Sequence, residues 1–235
     1  MNETTWASEP VLGFDTETTG VSTANDRIVT AAVVLRLPGR RTEVQTWLIN
    51  PGVEIPAAAT AVHGISTQHA VEFGAAPVTA LAEIAATLAE HLRAGIPVVA
   101  YNASFDLQLL DAELARYGLP TLPKRLGHSV APVLDPLVLD RWQDRYRKGK
   151  RTLGDLVRHY GVATQGDLHA ADVDVLTTLD VLEALARKYP ALAAASLAEL
   201  HQAQIEAHRA WAENFNQWRQ SQGFDGPGAN PNWPV

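Results

Sequence analysis

Acidic side chains recur at three places in this chain where they could do chemistry. The first is Phe14-Asp15-Thr16-Glu17-Thr18-Thr19-Gly20. In an extended backbone, residues i and i+2 point to the same side, so Asp15 and Glu17 would stand together. Two anions that close repel, and water or a cation must compensate. Hard oxygen donors of this kind suit magnesium or manganese. A lone Asp-x-Glu is most often a solvated acidic turn. Here an apolar run, Val11-Leu12-Gly13-Phe14, precedes it, and Thr18-Thr19-Gly20 follows with room for close approach to backbone.

The second place is Tyr101-Asn102-Ala103-Ser104-Phe105-Asp106, which also follows an apolar run and opens a helical pattern. Asn102 or Ser104 could simply cap that helix, and Asp106 could simply favour its dipole. The equivalent position of both motifs at strand ends favours a shared site, since open α/β sheets bind ligands there. The third place is His169-Ala170-Ala171-Asp172-Val173-Asp174. On one continuous helix, Asp172 lies about 300° round from His169 and shares its face, whereas Asp174 points about 140° away. Asp174 joins His169 only if the histidine sits in a loop or frayed turn, which Gly166-Asp167-Leu168 would allow. Spacing alone leaves both aspartates open.

The elements that would position these groups are legible in outline. Val11–Phe14 reads as a buried strand ending at Asp15. Ile28–Leu37, a turn at Pro38-Gly39, and Thr42–Ile49 complete a three-stranded antiparallel meander. Pro51–Ser66 reads as loop. Helical spacing spans Pro77–Arg93 through Leu81, Ile84, Leu88 and Leu92. Strands are expected at Pro97–Tyr101 and Val130–Leu134. Helices are expected at Ser104–Tyr117, from Pro136 towards Trp142, at Thr152–Tyr160 and at Ala170–Lys188. Right-handed crossovers would set the later strands parallel to the first. The fold class expected is α/β, a five-stranded mixed sheet flanked by helices. A last helix, about Ser196–Gln220, carries Ala207, Trp211, Phe215 and Trp218 on one stripe, which either packs on its own domain or meets a partner. The Gly/Pro/Asn-rich end should be irregular. The division expected is 1–9 as an extension, 10–192 as the main domain, 193–222 as the C-terminal helix and 223–235 as a tail.

Bulk properties narrow the function. The 235 residues contain no cysteine, which excludes disulfides and thiolate zinc sites. Met1–Pro10 carries Glu3 and Glu9 and lacks the basic-then-apolar order of a secretory leader. No run approaches the roughly 18 apolar residues of a membrane span. A soluble cytoplasmic protein without a membrane partner is expected. The net charge of −7 argues against a protein that coats nucleic acid, because phosphate contacts supply most of that affinity. It leaves room for an enzyme whose acidic site is neutralised by cations. Six of the 19 basic residues fall within positions 141–151, namely Arg141, Arg145, Arg147, Lys148, Lys150 and Arg151. They form either a solvated loop or a phosphate-contacting edge.

Phe14-Asp-Thr-Glu-Thr-Thr-Gly20, Val62-His-Gly-Ile65, Asn102-Ala-Ser-Phe-Asp106 and His169-x4-Asp174 together resemble the DEDDh exonucleases of the DnaQ-like superfamily, over about residues 10–190. The resemblance implies an RNase H-like fold and two divalent cations, magnesium or manganese. It implies that Asp15 bridges both ions, Glu17 and Asp174 hold the one that binds the attacking water, Asp106 serves the second, and His169 is the general base. It selects Asp174 over Asp172. It also places Thr16 and Thr18 near the terminal 3′ hydroxyl, Val62, His63 and Phe105 against the last nucleotide, and Asn102 as a substrate contact or motif support. Tyr101 departs from the histidine common at that position. The activity implied is 3′–5′ removal of nucleoside monophosphates, from DNA ahead of RNA, with possible phosphate contacts at Arg145, Arg147, Lys148, Lys150 and Arg151. Rival readings are an RNA-directed exonuclease of the oligoribonuclease or RNase T type, and a non-catalytic subunit that retains the fold. A protein partner would meet the C-terminal helix and tail. A dehalogenase-type phosphatase would require aspartate at position 17.

Overall fold

The computed structural model describes residues 5–37, 42–163 and 170–235. Five strands form one sheet in the order β3-β2-β1-β4-β5. β1 (Val11–Thr18) pairs antiparallel with β2 (Ile28–Arg36), which pairs antiparallel with β3 (Glu43–Leu48). β4 (Val98–Val99) and β5 (Val133–Leu134) run parallel to β1. This is the expected mixed sheet. The turn proposed at Pro38-Gly39 lies outside the described residues.

β1 is the centre of the molecule, and its alternation sorts residues to two covered faces. Leu12 and Phe14 enter the core built with α3 (Pro77–Arg93) and α4 (Ala103–Arg116). Val11 faces α8 (Ala171–Lys188) on the other side, with Val175 and Leu179. Gly13 lies between them on that face. A Cβ there would sit 2.3 Å from Val175 Cγ1, so only glycine lets α8 lie this close to β1. α8 carries Asp174, and this close approach is what brings that residue to the strand.

Several expectations change. β1 does not end at Asp15 but runs to Thr18, with Asp15 opposite Ala32 and Glu17 opposite Thr30 and a register shift after Glu17. The β-branched Thr16 and Thr18 suit the ladder, and the acidic residues interrupt hydropathy rather than pairing. The segment read as loop contains α1 (Ala57–His63), and α2 (Thr67–Phe73) follows it. Pro56 and Gly64 sit at the ends of α1, where they delimit a helix, and the alanine run between them favours one. β4 and β5 are shorter than expected, since Pro97 and Pro132 begin them and cannot donate to a ladder. A 3₁₀ turn at Trp6–Ser8 and short helices α5 (Leu122–Leu126) and α9 (Pro190–Ala194) carried no clear signal. α6 (Pro136–Gln143) and α7 (Leu153–Tyr160) lie where expected. Among the described residues, no helix is long and apolar enough to cross a membrane.

The C-terminal helix, α10 (Leu197–Ser221), starts at a capping box in which Ser196 and Glu199 bond each other's backbone. It closes the β5 edge of the sheet with side chains instead of a sixth strand. Gln204 accepts from Asp135 N at 2.7 Å and donates to Val133 O at 3.0 Å, while His201 Nδ1 accepts from Val133 N at 3.2 Å. An edge covered in this way cannot recruit another chain. The tail has no helix or strand but is anchored. Asn216 exchanges hydrogen bonds with Ala229, His208 Nε2 meets Asn230 O at 2.9 Å, and Trp233 is buried in the main core.

Gln204 is fully buried, so Gln204→Leu leaves Asp135 N and Val133 O without partners. At about 1–3 kcal/mol for each buried orphan, we expect a loss of roughly 2–6 kcal/mol in urea unfolding. Gln202→Leu, on the exposed face of the same helix, should change stability by less than about 0.5 kcal/mol. Equal effects would show that the edge is not held by Gln204.

Candidate active site

Asp15 and Glu17 project from β1 on the α8 side, and Asp174 reaches them from the first turn of α8. One carboxylate oxygen from each lies within 4.8 Å of the other two, and all three residues are partly buried. Asp172 is not in this group. The helix-wheel argument that favoured it assumed unbroken rotation from residue 169. Ala170 is extended (φ −113°, ψ 126°) and caps the helix, so that rotation does not hold. His169 lies outside the described residues.

Asp106 approaches from the opposite face of β1. It sits in the first turn of α4, 3% exposed, and Thr16 donates to its Oδ1 at 2.6 Å. Thr16 therefore has its hydroxyl committed to Asp106, and Thr18 donates to Gly20 O at 2.6 Å. A Cβ on Gly20 would lie 2.6 Å from Asp26 Oδ2, so the glycine admits the Asp26 carboxylate. That carboxylate accepts from Thr19 Oγ1 at 2.8 Å and Ser22 N at 2.7 Å and fixes the turn that follows β1.

The electrostatics follow from burial and like charge. Burial, then the charges of Asp106, Asp174 and Glu17, push Asp15 well above the ordinary carboxylate range. Burial, followed by Asp174 and Asp106, raises Glu17 to about 7. Burial raises Asp106 to about 7 even though the Thr16 hydrogen bond favours its ionised form. Among the described residues, no lysine or arginine forms an ion pair with Asp15, Glu17 or Asp106. Crowded, hard oxygen donors without basic partners fit a divalent cation of the magnesium or manganese kind.

The turn leading into α4, the helix that carries Asp106, is held by Asp135, for which the sequence carries little signal. Asn102 adopts the left-handed conformation (φ 60°), which asparagine tolerates better than most residues. Its side chain does not cap α4. Instead the buried Asp135 accepts from Asn102 N at 3.1 Å, Ala103 N at 2.9 Å and Leu137 N at 2.9 Å, and Trp233 Nε1 lies 3.4 Å from it. Burial raises the Asp135 pKa, and these donors oppose that rise. The only hint in the sequence was Asp135-Pro136 at a strand end, which reads as an ordinary helix cap.

The remaining candidates fall in two regions. Val62, on α1, is 52% exposed, and Phe105 and the exposed Asn102 border a small groove with Thr23 and Trp211. His63 accepts from Ile65 N through Nδ1 at 3.1 Å, and its Nε2 is buried. Burial lowers its pKa, and a hydrogen bond with the Thr18 backbone opposes that fall. Arg147 and Arg151 both pair with the fully buried Asp140, which also accepts from Tyr160 OH at 2.7 Å. Burial alone would raise the Asp140 pKa, and these donors outweigh it and hold it low. Tyr101 OH donates to Arg151 O, tying the β4 end to the same segment. Arg145, Lys148 and Lys150 remain exposed.

Residues 12–182 match the family model described as Exonuclease (RNase_T). A DNA polymerase III subunit epsilon-like protein of Rhodobacter capsulatus is 37% identical over 188 residues, which is 78% of this chain and 24% of the relative. The zinc-bound exonuclease I complex with single-stranded DNA from E. coli superposes with a TM-score of 0.67 at 18% identity, over 92% of this chain and 46% of that one. Exonuclease X in complex with 5′-overhanging duplex DNA gives a TM-score of 0.60 at 19% identity, over 83% and 99%. The chain thus spans about a quarter of the Rhodobacter relative and under half of the exonuclease I chain. With the motifs in order, the mixed sheet in place and the family match covering most of its length, the chain belongs to the DnaQ-like exonuclease family and has its RNase H-like fold.

Proposed function

We propose that this chain is a metal-dependent 3′–5′ exonuclease that releases nucleoside 5′-monophosphates from DNA, preferring single-stranded or frayed ends. The observation that carries the reading is the convergence of Asp15, Glu17 and Asp174 on one point of a family core. The choice of DNA rests on the names of relatives, a DNA polymerase III subunit and nucleases bound to DNA.

Asp15 would be shared by two magnesium or manganese ions, Glu17 and Asp174 completing one site and Asp106 serving the other. Such ions stabilise the charge on the attacking and leaving oxygens of an in-line displacement at phosphorus. His169 accepts the proton of the attacking water, for which an imidazole pKa near 6.5 is well matched. Thr16 holds Asp106 in place, which leaves that carboxylate's second oxygen for the site. His63 would lie beside the terminal nucleotide, with Val62 and Phe105 packing on its base or sugar. A closed end pocket of this kind selects a free terminus, and unstacking costs a few kcal/mol per step in a duplex, so frayed ends are favoured.

Asp15→Asn should nearly abolish release of mononucleotides from a 5′-labelled oligonucleotide. It should also raise the melting temperature of the metal-free protein, because it removes one member of a repelling set. Retained activity would remove Asp15 from the site, and matched DNA and RNA oligomers in the same assay decide the substrate. His169→Ala should slow single-turnover hydrolysis by roughly 10²–10⁴. Asp174→Ala should be far more damaging than Asp172→Ala, and the reverse order would reassign the ligand.

The raised carboxylates also set a pH dependence. Unfolded, Glu17 and Asp106 titrate near about 4, and folded near about 7. Between those values the folded protein keeps protons that the unfolded chain releases, so metal-free stability falls as pH rises through this window. A cation holds the ionised forms. Magnesium should therefore raise the melting temperature more at pH 8 than at pH 5.5, and an equal shift at both would contradict this arrangement.

A further inference from the structure

Two grooves meet at Trp211. The smaller, about 230 Å³, is lined by Asn102, Phe105 and Trp211. The larger, about 440 Å³, continues past Trp211 and runs between Phe215 of α10 and the basic segment with Arg145. Trp211 thus joins the end of the Asn102 motif to a cationic cleft.

The aromatic stripe of α10 continues along this path. Trp211 stacks on Phe215 at 5.5 Å and 13°, Phe215 on Trp218 at 5.7 Å and 30°, and Trp218 meets Phe224 at 5.8 Å. Trp211 and Phe215 are partly buried, Trp218 is 51% and Phe224 54% exposed, and Tyr146 of the basic segment is 87% exposed. Large exposed rings clustered on a protein surface mark a binding face. Its charge identifies the occupant. In a chain of net charge −7, Arg141, Arg145, Arg147 and Arg151 line the larger groove; Arg147 and Arg151 are paired with Asp140, while Arg145 and the neighbouring Lys148 and Lys150 are exposed. Arg141 stacks on Trp211 at 3.7 Å and fixes the ring that joins the two grooves. Flat rings beside cations suit unpaired bases beside phosphates, and base–aromatic stacking tolerates any sequence. An acidic or apolar protein partner would use one of these features and leave the other idle.

We propose that the cleft between α10 and residues 141–151 is a track for single-stranded nucleic acid, holding the nucleotides on the 5′ side of the terminal one. Bases stack on Trp211, Phe215 and Trp218, and phosphates lie on Arg145, Lys148 and Lys150. The aromatic wall lies beyond the matched residues 12–182, whereas the basic wall lies within them. The proposal rests on the exonuclease reading for its direction along the strand.

The test separates the two. Binding of fluorescein-labelled dT20 is measured by anisotropy in EDTA, and hydrolysis of the dinucleotide TpT is measured in magnesium. TpT consists of the terminal nucleotide and its one neighbour, so it reports on the carboxylate site. Phe215→Ala/Trp218→Ala should weaken dT20 binding roughly 10-fold or more and leave TpT hydrolysis unchanged. Arg145→Gln/Lys148→Gln/Lys150→Gln should make the dependence of log affinity on log salt shallower by about 2. Unchanged dT20 affinity in both variants overturns the track. So does no binding of dT20 by the wild type, the result expected if this face docks a protein. An equal loss on dT20 and TpT also overturns it, since the residues would then act at the carboxylates. Wild-type protein that binds dT20 but hydrolyses nothing keeps the track and sinks the exonuclease reading.

Discussion

Four carboxylates held against their own repulsion are the constraint from which the rest of this structure follows. Asp15, Glu17 and Asp174 converge on one point, and Asp106 lies close enough to raise the pKa of both Asp15 and Glu17. Left to themselves such groups would separate into water or bind protons. The protein prevents separation with a rigid framework, and among the described residues no lysine or arginine pairs with Asp15, Glu17 or Asp106. Oxygen donors crowded in this way are of the type that suits small, hard, divalent ions.

The framework consists of a few specific contacts. Gly13 lets α8 lie against β1, which brings Asp174 to the strand. Thr16 hands Asp106 through to the same region from the far face. Asp135 gathers the backbone N–H groups at the start of α4 and is itself reached by Trp233 from the tail. Gln204 and His201 complete the β5 edge on which Asp135 stands. The C-terminal segment, which composition alone marks as an appendage, therefore braces the start of α4, the helix that carries Asp106.

Much of this was legible in the sequence, for physical reasons. Asp15 and Glu17 are read from strand periodicity, and the sheet from alternation between strand and helix patterns. The end of β1 was misread because acidic residues look like a strand terminus when hydropathy is the only guide, whereas Thr16 and Thr18 kept the ladder going. Asp174 could not be separated from Asp172 by spacing, since the extended backbone at Ala170 is set by tertiary packing and not by local pattern. α1 was hidden because Pro56 and Gly64 mark the ends of a helix as readily as they mark a loop. Asp135, Gln204 and Trp233 were invisible because their partners lie 32 to 98 positions away.

The most direct measurement of the central claim is calorimetric titration of manganese into the purified chain at pH 7.5. Two equivalents are predicted for the wild type, with proton release as the raised carboxylates ionise and with binding lost in Asp15→Asn. Absence of manganese binding, or binding that Asp15→Asn leaves intact, would contradict it.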